Sequence, residues 1–275
     1  MQLPRLHLVE FEDLSICPAI VRDYGTDYLQ FVQSRFALYL PMVDMAAATL
    51  ERNNETQLVD LCSGGGGPML DVVRELRAKN IAATATLTDR FPNHDVAAAC
   101  AANPESRCLY HLDPVDARAV PPTLAGVRTI CNALHHFRPQ DVKQILRSAV
   151  AARQPFIAFE ISERTVRVVL STFFAPVMLM LTTPWIRPFR WRRLLLTYIV
   201  PLVPLLCLWD GVVSQLRSYT PAELEAMARE VDAAGYEWAA GKVGNDKLPT
   251  NVTYLTGSPL EVDAHSVTTA TNKLT

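Results

Sequence analysis

The sequence predicts an α/β protein built on a doubly wound, mostly parallel sheet, and three observations predict it. Five short apolar runs between Gln57 and Ile161 alternate with helix-periodic segments, the rhythm of repeated strand–helix units. The first run empties into four consecutive glycines, Gly64 to Gly67, which let a backbone turn tightly and come close to a ligand. The second, third and fourth runs end at Asp89, Asp113 and Asn132. In open α/β sheets the carboxyl ends of the strands are where ligands sit.

The elements follow in order. Residues 1–56 read as an N-terminal helical cap. Pro18 opens a helix, and Tyr28, Leu29, Phe31, Val32, Phe36, Leu38, Tyr39 and Leu40 put apolar groups on more than one face. Arg22, Asp23, Asp27 and Tyr28 form a polar group that reads equally as a closure over a ligand or as a solvated face. Leu58–Leu61 is the first strand. Pro68 starts a helix to about Lys79, buried along Met69, Leu70, Val72, Val73 and Leu76. Ala83–Thr88 is the second strand, Asn93–Ala102 a helix capped by Asn93, and Cys108–Leu112 the third strand. Val127–Asn132 is the fourth strand and leads into Ala133-Leu134-His135-His136-Phe137. Pro139–Ala152 is a helix and Phe156–Ile161 the fifth strand. Further on, Thr220, Pro221 and Glu223 spell a capped helix start running to Gly235. Tyr236–Val243 and Asn251–Gly257 close the chain as two strands joined by a Gly/Asn/Asp turn, and a polar tail frays beyond Ser258.

Bulk properties narrow the classes. At 275 residues, 49% hydrophobic and 20% charged, the chain can bury a large core. A formal charge of −2 gives no general attraction for nucleic acid, so none is expected as a partner. The six cysteines are scattered, with no C-x-x-C pair and no histidine at finger spacing. That argues against a zinc site and a disulfide framework, so no metal is expected and the thiols read as reduced. Met1–Glu10 lacks the basic-then-apolar pattern of a signal peptide, and a cytoplasmic location is expected.

The run Asp60-Leu61-Cys62-Ser63-Gly64-Gly65-Gly66, with Asp89, Asp113 and Asn132 at successive strand ends, resembles the class I, Rossmann-like S-adenosylmethionine-dependent methyltransferases. Their first motif carries an acid and three alternate glycines; here Cys62 stands where the first glycine is expected. The resemblance covers about residues 57–165, with 218–258 matching the family's final antiparallel strand pair and so a sheet of seven strands. It implies S-adenosyl-L-methionine as cofactor. It carries Asp60 to the amino-acid end of that cofactor (through water or indirectly), Asp89 to the ribose and Asp113 to the adenine edge. Cys62, Ser63, Gly64, Gly65, Gly66 and Asn132 complete the cradle, and Asp116 rivals Asp113. The competing dinucleotide fingerprint would need glycine at Met69, and no second mononucleotide half follows. An NAD(P)-linked oxidoreductase and a non-catalytic scaffold of the same fold are the alternatives.

For catalysis, His135 and His136 lie in the loop after the fourth strand, which in the family flanks the methyl-transfer site. Either could take a proton from an oxygen or nitrogen acceptor, or both could serve packing and backbone bonding. Asp210 follows a long apolar stretch and reads as a base or acceptor-binding group, or as a helix cap. Metal-dependent catechol-type chemistry would need clustered acids around the loop, and the local sequence holds none.

Residues 166–217 interrupt the strand–helix rhythm as a hydrophobic helical insertion. Val168–Trp185 and Leu194–Trp209 are uncharged, and Arg187, Arg190, Arg192 and Arg193 interleave with Trp191 and Phe189 between them. The runs are shorter than the 20 or so apolar residues of a bilayer span, and prolines break the second. A hairpin over 168–209 lying at a membrane face, and a lid or dimer surface that never meets lipid, are both consistent. Either points to a small, apolar acceptor.

Overall fold

The computed structural model describes residues 1–231, 235–245 and 248–260. Its sheet has seven strands in the order β3-β2-β1-β4-β5-β7-β6. β1 (Gln57–Leu61), β2 (Thr84–Thr88), β3 (Cys108–Tyr110), β4 (Val127–Cys131) and β5 (Phe156–Glu160) are parallel. β7 (Leu248–Pro259) runs antiparallel between β5 and β6 (Tyr236–Asn245). The inner strands are largely apolar and buried because helices cover both faces; every residue of β5 is buried, Glu160 at its end included. Chain order reverses beside β1, whose neighbours are β2 and β4. The carboxyl ends of β1 and β4 therefore form the crevice where such sheets take ligands.

One face of the sheet carries α2 (Leu40–Arg52), α3 (Met69–Ala78) and α4 (His94–Ala102). Met42, Ala46, Leu50, Val72 and Leu76 form a core with Leu58 and Leu87. The other face carries α5 (Pro139–Ala151) and α10 (Pro221–Val231), where Val142, Ile145, Leu146 and Leu224 pack on Val59, Ile130 and Ala158. Two predicted caps form as read. The Asn93 side chain accepts from Asp95 N and Val96 N. Thr220 Oγ1 accepts from Glu223 N at 3.2 Å while the Glu223 carboxylate accepts from Thr220 N at 2.9 Å. The end of the helix expected to reach Gly235, Asp246 of the closing turn, and the tail from residue 261 lie outside the described residues.

Residues 1–56 go to different places. α2 joins the sheet core, whereas α1 (Ala19–Arg35) packs Val21, Tyr24 and Tyr28 against Leu179, Val203 and Leu206 of the insertion. Tyr28 therefore belongs to a core rather than to a polar closure. The insertion folds as α6 (Val166–Thr172), α7 (Ala175–Thr182), a short α8 (Trp191–Leu194) and α9 (Leu202–Arg217). Val166–Trp185 is 20 residues long and holds an 18-residue window of mean hydropathy 1.7, long and apolar enough to cross a membrane by length and composition, and only 17% of that window is buried. The second apolar run bends by 72° between Ile199 and Leu202. Of the four arginines, Arg193 turns inward, donating to Asp27 at 2.5 Å and to the carbonyl of Ile186 at 3.0 Å; the other three are exposed.

An N-terminal strap runs across the back of α9. Leu3 N donates to Arg164 O and Leu6 N to Leu216 O. Arg5 lies over the Tyr219 ring at 4.0 Å and donates to Arg217 O and Phe137 O. The strap delivers Glu10 to the interior.

Candidate functional site

The loop after β1 is shaped by left-handed backbone. Cys62 sits at φ +62°, followed by Gly64 at +48°, Gly66 at +91° and Gly67 at +47°. Cys62 thus holds the conformation that glycine adopts freely, at a cost of about 1 kcal/mol for an L residue. This is the physical reason the first-motif pattern carries glycine at its place. The loop is tied down by Ser63 N to Thr88 O (2.9 Å) and Gly66 N to Ser63 O (2.8 Å). A Cβ on Gly64 would meet no atom within 4 Å, so this bend faces open space.

Asp60 lies beneath the loop and is 1% exposed. Ser63 Oγ and Thr129 Oγ1 each donate to its carboxylate at 2.7 Å, so it locks the loop to β4. Burial pushes its pKa up to about 6, and the hydrogen bonds from Ser63 and Thr129 only partly counter that. Any influence on a ligand is indirect.

Gly64 and Gly65 open on a cleft of about 1500 Å³. Asp89 and Phe91 line it, as do Arg22, Asp23, Thr26 and Asp27 of α1, with Thr26 packed close against Gly65. Asp89 accepts from Gly64 N at 2.9 Å and from Phe91 N at 2.8 Å, one bond to each carboxylate oxygen. Asp113 is not brought to this region: its side chain is 90% exposed and borders neither cavity. Its rival Asp116 lines a smaller cavity of about 310 Å³ together with Cys62 and His136. There Arg118, hydrogen-bonded at 2.6 Å, holds the Asp116 carboxyl below its ordinary pKa. Asn132, at φ +52°, accepts from Ile161 N at 3.1 Å and staples the ends of β4 and β5; it reaches neither cavity.

The two histidines have different surroundings. His135 is 2% exposed, and its Nδ1 sits 2.6 Å from Glu160 Oε2, while Glu160 Oε1 accepts from Leu134 N at 2.6 Å. His136 is 27% exposed and borders the smaller cavity. Around them gather Glu10 and Asp13 from the strap, Glu160 from β5 and Arg217 from α9. The expectation that the loop lacks clustered acids is thus corrected. The acids arrive from positions more than a hundred residues upstream and from the next strand. Glu160 was readable by the strand-end rule; Glu10 and Asp13 carry no local signal. Asp210 accepts from Phe11 N at 2.6 Å and Glu12 N at 3.1 Å, so it anchors the strap and borders neither cavity. Its pKa is raised to about 6, chiefly by burial.

No protein-family profile and no curated protein matches the chain by sequence. Solved structures do match it. Human N-acetylserotonin methyltransferase in complex with S-adenosylmethionine superposes with a TM-score of 0.50 at 10% identity, over 94% of this chain and 63% of that one. TnmH superposes with a TM-score of 0.50 at 16% identity, over 89% of this chain and 60% of that one. This chain spans less than two thirds of the length of either. At these identities the likeness is one of fold: the chain has the fold of class I S-adenosylmethionine-dependent methyltransferases. The loop fits that cofactor on its own terms. The Gly64 bend opens on unfilled space, and each Asp89 oxygen, bonded to one amide, retains a lone pair for a ribose hydroxyl.

Proposed function

We propose that the chain is an S-adenosylmethionine-dependent methyltransferase acting on a small, apolar acceptor. The observation that carries this is the open glycine bend facing a large cleft, with Asp89 at the next strand end. Gly64, Gly65 and Asp89 would hold the cofactor, and Phe91 offers a ring face at the edge of the cleft. Asp60 and Ser63 set the loop's shape from below. Asp116 is a better candidate than Asp113 for the adenine edge, because it borders a cavity beside Cys62. When bound, the cofactor supplies a methyl group on a positively charged sulfur, and the protein's task is chiefly alignment. His136 is our choice for the group that takes a proton from the acceptor, since it reaches a cavity while His135 is closed off. Glu160 then fixes the loop's orientation through His135. The test is calorimetric titration with S-adenosylhomocysteine and turnover with a labelled methyl donor. Binding and label transfer to an apolar extract are expected. Preference for NAD(P)H overturns the reading in favour of an oxidoreductase, and binding without transfer to any extract overturns it in favour of a scaffold.

We also propose that the insertion rests on a lipid surface. What supports this is the outward direction of its apolar side chains. Phe173, Phe174, Val177, Leu181, Trp185, Phe189, Trp191 and Ile199 are all exposed, a concentration of large apolar side chains in one segment of the kind that marks interaction surfaces. Arg187, Arg190 and Arg192 are exposed among the tryptophans, the composition of a headgroup-level element. Each basic group near an anionic surface contributes about 1 kcal/mol, so the three together account for roughly 100-fold in binding. Flotation with vesicles containing phosphatidylglycerol should recover the chain, and the triple alanine variant should lose most of that recovery. A chain that stays at the bottom of the gradient with both anionic and neutral vesicles contradicts lipid contact.

A further inference from the structure

Glu10 is fully buried, and its Oε2 has no hydrogen-bond partner. A buried, unsatisfied carboxylate oxygen is costly enough to require an explanation. An imidazole faces each oxygen of the carboxylate. His136 Nε2 lies 3.4 Å from Glu10 Oε2 and His135 Nε2 lies 3.8 Å from Glu10 Oε1. One ligand atom from each of the three side chains falls within 4.8 Å of the others. Those separations are long for hydrogen bonds, but they approach the edge of a coordination tetrahedron, about 3.3 Å for bonds of 2.0–2.1 Å.

The outer partners agree. Glu160 Oε2 lies 2.6 Å from His135 Nδ1, which fixes the ring and leaves Nε2 as the lone-pair side when Nδ1 carries the proton. Asp13 Oδ1 lies 3.4 Å from His136 Nδ1 in the same relation. Arg217 Nη1 occupies the other side of Glu10, 3.4 Å from Oε1 and 3.0 Å from Asp13 Oδ2, and leaves Oε2 free.

We propose that Glu10, His135 and His136 bind one divalent transition-metal ion, clasping the N-terminal strap onto the loop after β4. Two imidazoles and one carboxylate suit zinc, cobalt(II) or iron(II) better than magnesium or calcium, which prefer all-oxygen sites. His136 is the partly exposed ligand, so an open coordination position would lie on its side. With the ion held, the His136 lone pair is committed, and an oxygen reaching the metal would lose its proton more readily. His136 acts as a base only in the ion-free chain. The inference replaces His136 as base whenever the ion is held, but its test is independent of the methyl-transfer reading, because metal binding is read without cofactor or acceptor.

The test uses the full chain, stripped with a chelator and titrated with Zn²⁺ and with Co²⁺. One equivalent per chain is expected, with a cobalt visible spectrum of four- or five-coordinate type. His136→Ala and Glu10→Gln should each weaken binding roughly 100-fold or more, and Asp13→Asn about 10-fold. His111→Ala, remote from the cluster, should leave it unchanged. Failure of the wild-type chain to hold an equivalent of either ion overturns the proposal. So does a cobalt spectrum identical to the aqueous ion, a reading that stands even if Glu10→Gln fails to fold. Binding that survives both ligand replacements in folded variants places the ion elsewhere and overturns it as well.

Discussion

Replacing Asp89 with alanine removes the acceptor for two backbone amides at once, Gly64 N at 2.9 Å and Phe91 N at 2.8 Å. Hydrogen bonds to a charged group are each worth about 1.5–3 kcal/mol; Asp89 is only partly buried, so the lower end applies. Both amides lie near solvent and can turn to water, which avoids an orphaned-donor penalty. The loss is then about 3 kcal/mol of local order in the glycine loop, with little effect on the sheet beneath. At about 1.4 kcal/mol per decade, amide exchange at Gly64 should quicken by about 100-fold while exchange in β1 and β4 is unchanged. S-adenosylhomocysteine must find the loop ordered, so its affinity should fall between 10- and 100-fold, with asparagine at the same position near 10-fold. Exchange measured by NMR, with calorimetry on the same samples, checks both halves. Unchanged protection at Gly64, or an affinity within twofold of wild type, would show that Asp89 does not organise this loop.

Gly126→Ala should destabilise the fold by more than about 2 kcal/mol. Gly126 has φ +132°, and an added Cβ would lie 2.6 Å from the backbone oxygen of Gln57; an unmoved urea midpoint contradicts this. Asp60 retains its proton in the folded chain up to about pH 6 but loses it near pH 3.8 when unfolded. Its contribution is therefore most favourable below about pH 4 and declines as pH climbs through 6, by about 3 kcal/mol. Asp60→Asn should gain stability relative to wild type across that window, and parallel stability–pH curves for the two proteins would refute the assignment. Thr220→Ala should cost about 1 kcal/mol by opening the reciprocal cap with Glu223, seen as a lowered thermal midpoint. An unshifted midpoint means the cap is not limiting.

The parallel strands were legible in the sequence, though not their order. Strand and helix periodicities are local, so the runs at 57–61, 84–88, 127–131 and 156–160 were legible where they stand, as were the caps at Asn93 and Thr220. The glycine bend was legible for the same reason, since tight turns restrict residue type at the turn itself. Tertiary structure decided which polar groups meet. Asp113 and Asp116 are three residues apart and chemically alike, yet only Asp116 faces a cavity, because the turn after β3 points Asp113 to solvent. Asp210, open in the sequence to a role as base, acceptor-binding group or helix cap, serves as an anchor for Phe11 and Glu12. Around His135 and His136 only Glu160, at a strand end, was legible. Glu10, Asp13 and Arg217 reach the loop through a strap and a helix far away in sequence, and no residue pattern near the histidines records contacts made by long-range packing.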